Sequence, residues 1–164
     1  MATVTGQPLL SQGRRLETSP SMFGELRESS DVAQDIAFLA ASSSVPIRVH
    51  SVRITAGVTS DVRARIQIVR RSTAGSGGTG ITPSELFGRN SVAAATTATY
   101  ARTTPGTVGD LIHAEQWSLL VPFEWLPTPE MRPDIAVSGF IGVHLVAGTG
   151  ASRSMSGSIT FEEM

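Results

Sequence analysis

The feature that most narrows the fold is a two-residue hydrophobic period. Ile47-Arg48-Val49-His50-Ser51-Val52-Arg53-Ile54-Thr55 sets β-branched residues against polar ones at near-alternate positions. Arg63-Ala64-Arg65-Ile66-Gln67-Ile68-Val69-Arg70 alternates more cleanly, with Ala64, Ile66 and Ile68 on one side and Arg63, Arg65 and Gln67 on the other. A period of two is the mark of a strand with one buried and one solvated face, because successive side chains leave a strand on opposite sides. The segment 56–61 between the two runs carries Gly57 and Asp61 and reads as a turn, so the simplest pairing is an antiparallel hairpin.

The rest of the chain is punctuated in the same way. The run 32–40 fits helix or strand by periodicity alone. A glycine-rich loop, 72–80, leads through Pro83 into a long surface stretch. Strands are expected at 92–102, 111–121, 135–146 (one strand or a pair) and 158–162. Prolines 122, 127, 129 and 133 surround Phe123 and Trp125. Proline lacks the N–H that a ladder needs, so 122–133 is an edge or connecting segment. No amphipathic helix is evident after residue 42, and a short helix near Phe23–Leu26 has little support. Six to eight strands divided by Gly, Pro and Ser turns predict an all-β fold, an antiparallel β-sandwich of jelly-roll-like form, over residues 31–164. Residues 1–30 are polar and broken by Gly6, Pro8, Gly13, Pro20 and Gly24; they are expected to form an extended N-terminal arm.

Composition bounds the function. Charged residues make up 16 % of the 164, against about 25 % in an average domain, and the 13 basic residues are all arginine. Arginine's planar fork suits interfacial ion pairs better than lysine's point charge. The net charge of -1 argues against a coat for nucleic acid, and no apolar run reaches a membrane-spanning length of about 20 residues. The start of the chain lacks the charged and apolar regions of a signal peptide, so synthesis and use without export are expected. With no cysteine there is neither a disulfide nor a thiolate site.

Chemistry-bearing motifs are scarce. His50, His113 and His144 each stand alone in a predicted strand, without metal-ligand spacing, so no metal and no cofactor is expected. Gly75–Gly80 lacks the Lys-Ser/Thr and the following helix of a phosphate loop and reads as a flexible connection. There is no G-x-S-x-G elbow. Asp110, Glu115, Glu124, Glu130 and Asp134 are scattered, with nothing to fix a catalytic separation. The expectation is a binding protein, not an enzyme.

Candidate interface residues fall in three groups. Arg63, Arg65, Arg70 and Arg71 form a basic stripe on one predicted strand, suited to an acidic neighbour. Trp117, Phe123 and Trp125 form an aromatic cluster that reads as an interface anchor, a sugar-stacking platform or a core corner. Phe23 and Leu26 are the arm's apolar contacts.

The order of these segments is strand, turn and Arg-rich strand over 47–68, then Arg70-Arg71-Ser72-Thr73-Ala74-Gly75-Ser76-Gly77-Gly78-Thr79-Gly80-Ile81-Thr82-Pro83, the Ala/Thr-rich strand 92–102, and Phe123-Glu124-Trp125 before the prolines. It resembles small β-sandwich virion proteins of tailed bacteriophages, some of which are capsid cement or decoration proteins. The likeness spans roughly residues 31–163 and is architectural. It implies a jelly-roll-like homo-oligomer, most often a homotrimer, that is made in the host cytoplasm and attached to the major capsid protein on the capsid exterior, with no nucleic-acid or membrane partner. The rival expectation is a carbohydrate- or receptor-binding module of a head fibre or tail that uses Trp117 and Trp125.

Overall fold

The computed structural model describes residues 14–17, 25–26, 33–85, 94–146 and 153–164. In chain order the strands are β1 (Arg14–Glu17), β2 (Glu25–Leu26), β3 (Gln34–Ala40), β4 (Ile47–Ala56), β5 (Arg63–Arg71), β6 (Gly75–Ser76), β7 (Thr79–Ile81), β8 (Ser84–Glu85), β9 (Thr97–Arg102) and β10 (Thr104–Pro105). They continue with β11 (Val108–Ser118), β12 (Phe123–Trp125), β13 (Asp134–Ile135), β14 (Phe140–Val146) and β15 (Arg153–Glu163). Among the described residues the one helical element is a 3₁₀ turn, Pro129–Met131.

These strands build an all-β antiparallel sandwich. One sheet runs β12-β4-β15-β1-β8, with β13 also on β4 and β2 on β15; the other runs β11-β5-β14-β3-β9-β7. Their inner faces meet in a single core. Val49, Val52 and Ile54 of β4 and Ile159 and Phe161 of β15 face Ile66 and Ile68 of β5 and Ile141, Val143 and Leu145 of β14. A space of about 10 Å³, apolar in lining and at the lower limit for a single water, lies between the sheets among Val49, Val52, Ile68, Ile141, Val143 and Ile159.

The expected hairpin of the two alternating runs does not form. β4 pairs with β12, β13 and β15, whereas β5 pairs with β11 and β14. The residues between them carry the chain from one sheet to the other, as do those between β11 and β12 and between β14 and β15. Register places the three crossings at one end of the sandwich, where Ser118 opposes Arg63, Val146 opposes Arg65, and Met155 opposes Ala56. Periodicity reports which face of a strand is buried but not which strand it pairs with, and two inward-facing strands bury as much apolar surface in facing sheets as in one.

The run 32–40, ambiguous in sequence, is the strand β3. The proline-rich segment lies at the edge, with the short β12 and β13 side by side on β4. Of the expected arm, β1 and β2 both pair with β15 of the same chain. The rest of residues 1–30, including Phe23, lies outside the described residues.

Candidate functional site

Each sheet carries a bulge beside a histidine–carboxylate pair on its outer face. In β3, Val143 opposes Ala37 but His144 opposes Asp35, so Ile36 is an extra residue. Ala37 and Leu39 point into the core. The bulge turns Asp35 to the opposite side, where it meets His144. In β4, Thr160 opposes Ser51 while Phe161 opposes Val49, so His50 is the extra residue. There His50 Nε2 lies 3.1 Å from Glu162 Oε2.

The Asp35 cluster is enclosed. Asp35 sits on β3 and Arg71 on β5, with β14 between them. They meet because β14 offers Gly142 at the crossing: a Cβ there would lie 3.2 Å from the Asp35 carboxyl carbon. Arg71 Nη2 donates to Asp35 Oδ1, and Arg71 Nη1 donates to the Gly106 carbonyl at 2.9 Å. His144 Nδ1 stands 2.9 Å from both Asp35 Oδ1 and Arg71 Nη2. A single ring nitrogen either donates to the carboxylate or accepts from the guanidinium, so only one of these contacts is a hydrogen bond at a time. The side chains of Asp35 and Arg71 are 0 % and 1 % exposed, which makes this a buried ion pair. Asp35 Oδ2 and Arg71 Nε have no hydrogen-bond partner among the described residues.

Beside the cluster, Phe38 stacks on Phe140 with ring centroids 5.7 Å apart, and the Arg102 guanidinium lies 3.9 Å above the Phe38 ring. Arg102 Nε donates to Thr99 Oγ1 at 2.7 Å, and Arg102 Nη1 donates to the Ala74 carbonyl. Burial lowers the Arg102 pKa, with the Asp35 charge acting against it. The cover over this face is the ribbon formed by β6 and β10.

The other outer face is open. Arg48 grips Asp134 through two bonds of 2.6 and 2.9 Å, with both side chains well exposed. The bonded guanidinium holds the Asp134 carboxyl below its ordinary value, and Asp134 raises the pKa of Arg48. Glu163, by contrast, is buried and accepts the Thr96 N–H at 2.7 Å.

The sequence-predicted residues divide among these surroundings. The four arginines of β5 do not share one setting. Arg63 and Arg65 are exposed, Arg70 reaches the Asp134 carbonyl at 3.1 Å, and Arg71 is buried. Trp117 and Phe123 lie in the core in an edge-on pair 6.1 Å apart, and Trp117 Nε1 donates to the Val121 carbonyl at 2.7 Å. Trp125 is half-buried, 6.2 Å from the His113 ring. Leu26 belongs to β2. Asp35 escaped notice in the sequence; the available signal was a lone acid inside the apolar run 32–40. Among the described residues no group of three or more His, Asp or Glu side chains is placed to hold a metal ion.

Among the described residues, five exposed large apolar side chains lie on β11, in its connection to β12 or just beyond β12, while Met131, Val137 and Met164 are exposed elsewhere in the chain. Val108 and Leu111 lie on β11, Leu120 and Val121 in its connection to β12, and Leu126 just beyond β12, each at least half exposed. β11 is the edge strand of its sheet, and it is guarded: its pairing with β5 shifts register twice, between Val108 and Leu111 and between Leu111 and His113. Such irregularities discourage a further strand from adding to an edge, so this margin offers side chains rather than its backbone. No protein-family model, no curated protein and no solved structure matches the chain.

Proposed function

We propose that this chain is a structural, non-enzymatic protein of a bacteriophage particle, a cement or decoration protein that binds the major capsid protein from outside as a homo-oligomer, a trimer by the resemblance drawn from its sequence. The observation that favours an assembly role is the apolar margin of β11 and β12. Monomeric proteins rarely leave a series of large apolar side chains along one edge in water unless the surface is used. A rigid sandwich with a guarded edge can press such a margin against a partner without itself polymerising through strand addition. The exposed Arg63 and Arg65 on the adjoining strand β5 suit an acidic rim on the same partner. Weak contacts of this kind suffice when several copies are joined, because each linked subunit binds at a high effective concentration.

The glycan-binding alternative is less well served. Trp117 is buried with its N–H engaged, which leaves only the half-buried Trp125 as a stacking face.

The test is solution mass by light scattering, followed by cosedimentation with phage heads that lack the protein. A stable oligomer that saturates the heads and protects them from heat is the expected result. The double variant Leu111→Ser/Val121→Ser is expected to stay folded and lose head binding. A folded wild-type protein that ignores heads overturns the capsid reading, and a double variant that binds undiminished removes the margin from it.

A further inference from the structure

The ribbon over the Asp35 face is attached unlike the rest of the fold. Its two halves are held to each other by Ser72 N–H to the Thr107 carbonyl (3.0 Å), Thr107 N–H to Thr73 Oγ1 (2.8 Å) and the pairing of Thr104 with Ser76. They fit so closely that a Cβ on Gly106 would come within 1.8 Å of the Thr73 carbonyl oxygen. Yet no residue from 72 to 80 or from 103 to 107 belongs to the hydrophobic core. β7 anchors the far end of the first half to β9 by its own ladder; short of that ladder, the side-chain hydrogen bonds from the sheet to the ribbon come from two arginines, Arg71 to the Gly106 carbonyl and Arg102 to the Ala74 carbonyl.

The two arginines differ in one respect. Arg71 has a carboxylate, Asp35. Arg102 makes no ion pair among the described residues: it bonds two neutral oxygens and covers the Phe38 ring, while Asp35, its cross-strand neighbour, acts on it without direct contact. A guanidinium partly removed from water is best matched by a carboxylate, which takes two parallel N–H bonds. We propose that the ribbon is a strap closed over an acid-binding site, and that the Ala74 carbonyl holds the position at Arg102 that a carboxylate of an acidic protein segment takes when the strap lifts. Phe38 and Phe140 form the apolar floor beside it. The strap is tethered at both ends, so it competes at high effective concentration and the closed form prevails without a partner. Opening breaks polar ties and leaves the sandwich core intact, which places it among the low-energy openings of the molecule. The inference uses Arg102 and the ribbon and, apart from Val108 next to Thr107, no part of the β11–β12 margin, so it does not depend on the capsid reading.

The test uses the full chain, amide hydrogen exchange and a hexaglutamate peptide as probe. Amides at 73–77 and 103–107 are expected to exchange at least about tenfold faster than those of β5 and β14. Gly106→Ala is expected to open the strap and tighten hexaglutamate binding by about tenfold, since a partner no longer has to select a rare open state. Thr73→Ala loosens the same ribbon more gently and serves if Gly106→Ala does not fold. Arg102→Gln in either background is expected to abolish the gain, while Leu111→Ser leaves it untouched. Strap amides as protected as those of β5 would overturn the proposal, as would an opened strap that fails to bind the peptide or binds it regardless of Arg102.

Discussion

The two outer faces of the sandwich are built from the same parts and put them to opposite uses. Each has a bulged strand, a histidine against a carboxylate and an arginine–aspartate pair. On the β4/β15 face Arg48–Asp134 remains in water, so that pair adds little and risks little, while His50 is buried against a partly exposed Glu162. On the β5/β14 face the ribbon excludes water, and the same chemistry becomes mutually dependent. A buried charge must keep its partner, because removing one member strands the other in a medium that solvates it poorly. Covering, rather than composition, decides what an ion pair is worth.

The comparison is broken most severely at Asp35. Asp35→Ala is expected to lower stability by about 3–5 kcal/mol, leaving Arg71 buried and unpaired, as read in urea unfolding. Asp35→Leu combined with Arg71→Met should recover most of that loss, since an apolar replacement of a whole buried pair is often neutral. If the double variant is no better than the single one, the ribbon's bond to Arg71 matters more than the pair does. Gly142→Ala comes next, at about 1–3 kcal/mol, because the new methyl crowds the Asp35 carboxyl. Its cost should shrink in an Asp35→Ala background, a coupling that a double-mutant cycle measures. On the β4/β15 face, Glu162→Gln is expected to cost about 1 kcal/mol, since the amide can still hydrogen-bond the buried His50 ring.

The smallest effect concerns pH. The Asp134 carboxyl is held below its ordinary value by the Arg48 bond. The pair's contribution is therefore present above the unfolded carboxyl value of about 3.9 and is lost as pH falls through the lower folded one. Asp134→Asn should flatten the acid limb of the stability curve slightly, and less so in high salt, where exposed charges are screened.

The sequence revealed the fold class because burial leaves a period of two: Ile47, Val49, Val52 and Ile54 of β4 and Ala64, Ile66 and Ile68 of β5 announced themselves. Pairing stayed hidden. Nothing local in residues 56–61 distinguishes a hairpin turn from a crossing between sheets, and β4 finds β15 about a hundred residues later. The enclosed cluster was hidden for the same reason. Asp35, Arg71, Gly106 and the β14 pair Gly142 and His144 come from four distant parts of the sequence and become neighbours only after the sheet orders its strands. Arg71 in sequence was one more arginine in a stripe, and the bulge at Ile36 that aims Asp35 outward has no signature in composition. The exposed apolar residues of the β11–β12 margin could not be told from core residues before burial was known.

The three crossings stacked at one end have a consequence for how the chain is made. β3 waits for β9 and β14, β4 for β12, β13 and β15, and β5 for β11 and β14. As the chain leaves the ribosome, its most isoleucine-rich strands emerge well before anything that can cover them. Such long-range closure is slow, and the waiting strands are open to wrong partners meanwhile. β15, which follows all of these strands in the sequence, is the one that lets β4 finish its sheet, so this sandwich acquires its stability late.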